Sequence, residues 1–71
     1  MRFLVIGLGS MGKRRVRNLI ALGHKDNIAG FDLREDRRIE AKKYEIDIFD
    51  DFEKAMNEFK PNAFLISTPP N

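Results

Sequence analysis

The sequence predicts an α/β fold in which four strands form a parallel sheet in the order 3-2-1-4 and three helices cover its faces. Three observations point there. Short apolar runs around Phe3–Ile6, Ile28–Phe31, Ile46–Phe49 and Ala63–Ile66 have the length of strands and end at glycine or polar residues. The segments between them carry apolar residues at helical spacing. A Gly-x-Gly-x-x-Gly run, Gly7 to Gly12, stands where the first strand gives way to the first helix. Strands that alternate with helices pair in parallel through right-handed crossovers.

Phe3 to Ile6 is continuously apolar, as a strand buried on both faces should be. From about Ser10 to Gly23 the period becomes helical. Gly12, Val16, Leu19, Ile20 and Gly23 fall on one side, and Lys13, Arg14, Arg17, Asn18 and Ala21 on the other. Gly23 stops this helix, and His24 to Asn27 forms a polar connection into the second strand, Ile28 to Phe31. Arg34 to about Tyr44 reads as a second helix with a thin apolar face, its acids Glu35 and Asp36 first and its bases Lys42 and Lys43 last, as the helix dipole prefers. Ile46, Ile48 and Phe49 flank Asp47 in a brief edge-type strand. Asp50 or Asp51 can cap the next helix, and Asp50 has capping-box spacing to Glu53. Phe52, Ala55, Met56 and Phe59 recur at i, i+3, i+4 and i+7 as a core-facing stripe, which Lys60-Pro61 ends. Ala63 to Ile66 is the fourth strand, closed by Ser67-Thr68-Pro69-Pro70. In the order 3-2-1-4 this strand lies at an edge, although Phe64, Leu65 and Ile66 suit a sheet interior. It is expected to be covered by strands beyond Asn71 or by another chain, the sequence being an incomplete doubly wound unit.

Composition narrows the function. An apolar fraction of 42% with 34% charged residues describes a globular rather than a disordered chain. There is no cysteine and one histidine, so thiolate metal sites and disulfides are excluded, and no metal-ligand set is expected. The apolar opening run breaks at Gly7, too soon for a signal-peptide core or a membrane span, and a cytoplasmic location without membrane contact is expected. A formal charge of +2 says little about polyanionic partners.

The glycine run carries the chemistry. Gly7 permits a sharp turn, Gly9 lets a pyrophosphate approach the backbone, and Gly12 lets the helix pack closely on the sheet. The helix N-terminus then turns unpaired N–H groups toward phosphate, and the backbone of Ser10 and Met11 is better placed for contact than their side chains. Asp32 follows Gly12 by twenty residues, at the carboxyl end of the second strand, where a carboxylate can accept from both adenosine ribose hydroxyls and repel a 2′-phosphate. This Rossmann-type pattern favours NAD over NADP. Arg34, two residues on, can stack on adenine, pair with a 2′-phosphate or be solvated, which keeps NADP open.

The runs G-L-G-S-M-G-K-R-R-V-R-N-L, G-F-D-L-R-E-D-R-R-I-E-A and P-N-A-F-L-I-S-T-P-P-N together resemble the N-terminal half-domain of the glucose-fructose oxidoreductase, inositol dehydrogenase and MocA family. The resemblance covers essentially residues 1–71. It implies a two-domain, homo-oligomeric enzyme that moves hydride between a nicotinamide cofactor and a hydroxyl-bearing carbon of a sugar, inositol or related polyol. Gly7, Gly9 and Gly12 take the family's phosphate-loop positions and Asp32 its ribose position, while Ser67, Thr68, Pro69 and Asn71 fall at the turn beside the nicotinamide ribose. The family's catalytic lysine and histidine fall past Asn71, so no catalytic residue is assigned. Where the family often has histidine, Arg15 stands; it can reach the cofactor phosphates or lie along the sheet edge.

The Gly-Leu-Gly-x-Met-Gly spelling with Asn18-Leu19 is also similar to 3-hydroxyisobutyrate and 6-phosphogluconate dehydrogenases, which rank second because their fourth-strand turn differs. A non-catalytic nucleotide-sensing module is a further class. The basic run Lys13 to Arg17 reads as a solvated helix face rather than a nucleic-acid patch, there being no interleaved aromatics. His24 follows the helix end away from the glycine run and reads as a capping or solvated residue, and Tyr44 as helix-end packing.

Overall fold

A computed structural model describes residues 1–68. The strands are β1 (Phe3–Ile6), β2 (Ile28–Phe31), β3 (Asp47–Phe49) and β4 (Ala63–Ile66), and the helices α1 (Ser10–Ala21), α2 (Glu35–Ala41) and α3 (Phe52–Phe59). All strand pairs are parallel, in the order β3-β2-β1-β4, as the alternation of elements predicts. β1 lies at the centre, with Val5 level with Gly30 on one side and Leu65 on the other.

The period of two along each strand sorts side chains into two cores. Val5, Leu8 and Ile28 pack with Val16 and Leu19 of α1 and Ala41 at the end of α2. Leu4 and Ala29, on the opposite face, pack with Ala55 and Phe59 of α3. β1 is therefore buried on both faces, which accounts for its unbroken apolar run. β4 is not. Leu65 packs against the α1 core, but Phe64 and Ile66, on the α3 face, are 46% and 67% exposed.

The element ends follow from backbone chemistry. α1 closes at Ala21, two residues before the expected stop. The N–H groups of Gly23 (φ +91°) and His24 donate to the carbonyls of Ile20 and Leu19, a Schellman closure. The His24 ring then rests on Phe3, with centroids 5.1 Å apart, at the end of the sheet away from the glycine run. The second helix reaches Tyr44 only by tightening into a 3₁₀ turn over Lys42–Tyr44. Of the two candidate caps for α3, Asp51 does the work: its Oδ1 accepts from the N–H of Lys54 at 3.0 Å. The Asp50–Glu53 capping box is not formed, because the cap lies one residue later and places Lys54 at the reciprocal position. At the other end of α3, Arg2 donates from Nε to the Phe59 carbonyl and lays its guanidinium over the Phe59 ring.

The basic run on α1 is less solvated than its sequence suggests. Lys13 forms an ion pair and hydrogen bond with Glu40 of α2, and Arg17 Nη1 donates to the Tyr44 hydroxyl at 2.8 Å. These contacts tie α1 to α2 and to the Lys42–Tyr44 turn that follows it. The Lys13 hydrogen bond and charge hold the Glu40 carboxyl below its ordinary value. A carboxyl whose folded pKa lies below its unfolded one stabilises the fold above the unfolded value, and loses that contribution as pH falls through the folded value. The stability of the wild type relative to Glu40→Gln, measured by urea unfolding across pH, should accordingly be largest above the ordinary glutamate value of 4.5 and shrink with further acidification. A difference that ignores pH would remove this pair from the linkage.

Candidate functional site

The site forms where the carboxyl ends of β1, β2 and β4 meet the start of α1. Past Ile6, the chain turns at Gly7 (φ +96°), whose N–H continues the sheet by donating to the Phe31 carbonyl at 2.8 Å. A side chain at Gly7 would stand 3.1 Å from the Ser67 carbonyl and the Thr68 methyl. Three residues on, α1 opens with Gly9 as its N-cap, no side-chain cap and no acid in its first turn. Its positive end is thus left for an outside anion. Gly12 brings α1 against the loop so closely that a Cβ would lie 1.7 Å from the Gly7 carbonyl oxygen, which no side chain permits.

Asp32 anchors this loop. It is 7% exposed, at the end of β2, and its two carboxylate oxygens accept separate backbone hydrogen bonds, Oδ2 from Leu8 at 2.8 Å and Oδ1 from Arg34 at 2.9 Å. Each oxygen keeps a second lone pair for a ligand hydroxyl. Leu8, an unspecified position in the glycine pattern, is fully buried. Its side chain fills the space left by Gly30, where a Cβ would come within 2.8 Å of Leu8 Cδ2.

Three arginines of the following segment take different partners. Arg34, named from sequence as a nucleotide contact, directs its guanidinium at Asp36 through Nε at 3.1 Å and Nη2 at 2.7 Å. This pairing raises the Arg34 pKa and lowers that of Asp36. Arg38 Nη1 donates at 2.9 Å to the carbonyls of Asp32 and Leu33. Arg37, which sequence reasoning passed over, lies across the site. Its guanidinium carbon is 3.4 Å from where a Gly9 Cβ would stand, and Nη1 is 3.7 Å from Asp32 Oδ2. Spacing within a run of charged residues offered no signal to choose among the three.

Ile6, Gly7, Phe31, Asp32, Leu33, Arg37 and Thr68 enclose a cavity of about 140 Å³. Ser67, next to Thr68, lies close to Gly7 and Gly12; its N–H donates to the Ile6 carbonyl, while its buried Oγ has no partner among the described residues. Ser10 and Met11 are exposed at the start of α1, and Thr68 is exposed at the end of β4. Pro69 and Asn71, also named from sequence, lie outside the described residues. A larger groove of about 320 Å³, lined by Met11, Arg14, Arg15 and Asn18, runs along the outer side of α1. It contains neither the glycines nor a carboxylate, so the smaller cavity is the chemically organised one. Arg15 lies in that groove, its Nη2 3.9 Å from Met11 Sδ. Among the described residues no group of three or more acids or histidines could hold a metal ion, and no helix is long and apolar enough to cross a membrane.

An uncapped helix N-terminus, glycines that clear the approach to it, and an anchored carboxylate one strand away suit a ligand with phosphate at one point and vicinal hydroxyls at another. The family described as an oxidoreductase family with an NAD-binding Rossmann fold, GFO_IDH_MocA, matches residues 1–71. Comparison with curated proteins and with solved structures returns no match.

The packing of Leu8 under Gly30 joins the core to the site and can be tested directly. Gly30→Ala should cost about 1–3 kcal/mol by overpacking a buried leucine. Leu8→Val, which removes a methylene from the contact, should recover part of that loss in the double variant. Strict additivity in urea unfolding of the four proteins would show that the two residues do not press on each other.

Proposed function

The chain belongs to the GFO_IDH_MocA oxidoreductase family and has its NAD-binding Rossmann fold, and we propose that residues 1–68 hold the dinucleotide by the glycine loop, Asp32 and the end of β4. NAD is the cofactor that this family binds. The observation that carries the residue assignment is the anchored Asp32 carboxylate, held by the Leu8 and Arg34 N–H groups at the cavity wall.

The backbone N–H groups of Ser10, Met11 and Gly12, uncapped at the start of α1, would receive the pyrophosphate. Gly9 leaves the approach open except for the movable Arg37 side chain. Asp32 would accept from the adenosine ribose hydroxyls. The Ser67 hydroxyl, without a partner among the described residues, and the exposed Thr68 would serve the nicotinamide half, and Pro69 and Asn71 belong to the same assignment by sequence. Arg34 is the weakest member of the set, since Asp36 already holds its guanidinium.

Bound NAD supplies a ring carbon that takes or gives a hydride. The chain's own residues then orient the dinucleotide along the ends of β2, β1 and β4. By resemblance, the substrate is a sugar, inositol or related polyol whose hydroxyl-bearing carbon is the hydride partner. We assign binding, and no proton transfer, to the residues present, and we place substrate recognition and catalysis in a longer parent protein that works as a homo-oligomer.

Two variants test the assignment. A Gly9 Cβ would meet only the Arg37 side chain, at ordinary contact distance, and the Gly9 backbone is extended (φ −72°, ψ −163°). Gly9→Val should therefore fold yet lose NAD binding by filling the pyrophosphate approach. Amide NMR titration suits a chain without tryptophan; a dispersed spectrum with undiminished NAD shifts would overturn the loop assignment. Asp32→Ala should weaken NAD by roughly tenfold or more, the loss expected for hydrogen bonds to a charged group, and reduce the preference for NAD over NADP. Unchanged affinity for both nucleotides in a folded variant would exclude the ribose role.

A further inference from the structure

We infer that the flank of α1 turned away from α2 receives the acidic corner between β3 and α3 of a second copy of this chain, so that copies associate head to tail. The inference goes beyond the dinucleotide reading and is independent of it. Its basis is the separation of charge along the chain. No acid occurs from Met1 to Lys25, whereas Glu45, Asp47, Asp50, Asp51 and Glu53 fall within residues 44–53, which hold no lysine or arginine. The fold sets these two segments apart. β3 ends the sheet on one side and β4 on the other, and α1 and α3 cover opposite faces.

Lys13 and Arg17 of α1 reach Glu40 and Tyr44. With about 3.6 residues per turn, Met11, Arg15 and Asn18 therefore lie on the other flank, on the β4 side of the helix. That flank carries the groove of about 320 Å³ lined by Met11, Arg14, Arg15 and Asn18. Arg14 forms no hydrogen bond or ion pair among the described residues. Arg15 meets only Met11 Sδ, at 3.9 Å, and its buried Nε has no partner among them. Two guanidiniums, always charged, thus share a groove that contains no carboxylate.

The corner between β3 and α3 is the counterpart. Asp51 is engaged in capping α3, but Asp50 and Glu53 are exposed and form no ion pair among the described residues. Between them Phe52 is 44% exposed, its ring edge-on to Phe31. Met11, in the groove, is 52% exposed. An aromatic ring flanked by two carboxylates can set the ring on the Met11 thioether and the acids on Arg14 and Arg15.

The same distribution excludes other pairings. Groove on groove would oppose arginines and corner on corner would oppose carboxylates, so neither patch makes a two-fold contact with itself. One chain cannot close on itself, since its groove and its corner belong to opposite edges and faces of the sheet. An acidic partner of another kind would fill the groove and leave the corner unused, whereas a second copy uses both patches. Exposed ion pairs are individually weak and are screened by salt, so the association is weak and governed by ionic strength.

Sedimentation equilibrium of the chain over a range of concentrations tests this at roughly 0.01 M and roughly 1 M salt, between which the screening length falls from about 30 Å to about 3 Å. At low salt the mean mass should rise with concentration past that of two chains, and at high salt it should return to that of one. Asp50→Asn with Glu53→Gln, which spares the Asp51 cap, should stay monomeric, as should Arg14→Gln with Arg15→Gln. Mixed in equal amounts, the two double variants should form pairs and nothing larger, because one intact groove then meets one intact corner. If the half-buried Arg15 proves necessary for folding, the corner variant alone decides. A wild type that is monomeric at low salt overturns the inference, including one whose groove binds an oligoglutamate peptide, which would give the groove to another acidic partner. So does a wild type that stops at two chains, undiminished association of the corner variant, or growth of the mixture beyond pairs.

Discussion

Everything at the functional end of this protein depends on how closely α1 approaches the turn that precedes it. A single methyl group at Gly12 would overlap the Gly7 carbonyl oxygen, so the helix can start where it does only because that group is missing. The short distance has two consequences. It packs Val16 and Leu19 onto Val5 and Ile28, forming the larger of the two cores. It also brings the unpaired N–H groups of the first helical turn to the end of β1, where a phosphate can meet them. Stability and anion binding thus share one steric requirement.

Asp32 adds an electrostatic requirement to the steric one. Its carboxylate is buried, and a buried charge must be hydrogen-bonded to be tolerated. The N–H groups of Leu8 and Arg34 meet that need and at the same time fix the loop after β1 to the turn after β2. A residue placed for a ligand is therefore also a brace for the unliganded loop. Removing it leaves the Leu8 N–H without its partner, so loss of ligand and loss of local order have to be measured separately.

Much of this was legible in the sequence because the relevant signals are local and periodic. β1, β2 and β4 have the bounds of their apolar runs, and the stripe Phe52, Ala55, Met56 and Phe59 gives α3 as observed, with Ala55 and Phe59 buried, Met56 partly buried and Phe52, at the start of the helix, exposed rather than core-facing. Gly7 and Gly12 have the turn and close-packing geometry that the motif implies, and Asp32 stands at the end of β2. Errors of one to three residues occur at ends where competing local bonds decide. Examples are the Schellman closure of α1, the 3₁₀ turn that completes the second helix, and the choice of Asp51 over Asp50 as cap.

What the sequence could not supply is the pairing of charges between elements. Lys13, Arg14, Arg15 and Arg17 look alike in a helical projection, yet Lys13 and Arg17 reach Glu40 and Tyr44, each 27 residues away. Arg34, Arg37 and Arg38 fall within five positions, and proximity to Asp32 in sequence selects Arg34, the one already bound to Asp36. Spacing reports which face of a helix a residue occupies. It does not report whether a neighbour on the same turn has already neutralised it. A charged side chain becomes informative about a ligand only once its protein partners have been accounted for, and at the end of β2 those partners are Asp36 for Arg34, two main-chain carbonyls for Arg38 and the Asp32 carboxylate, 3.7 Å away, for Arg37.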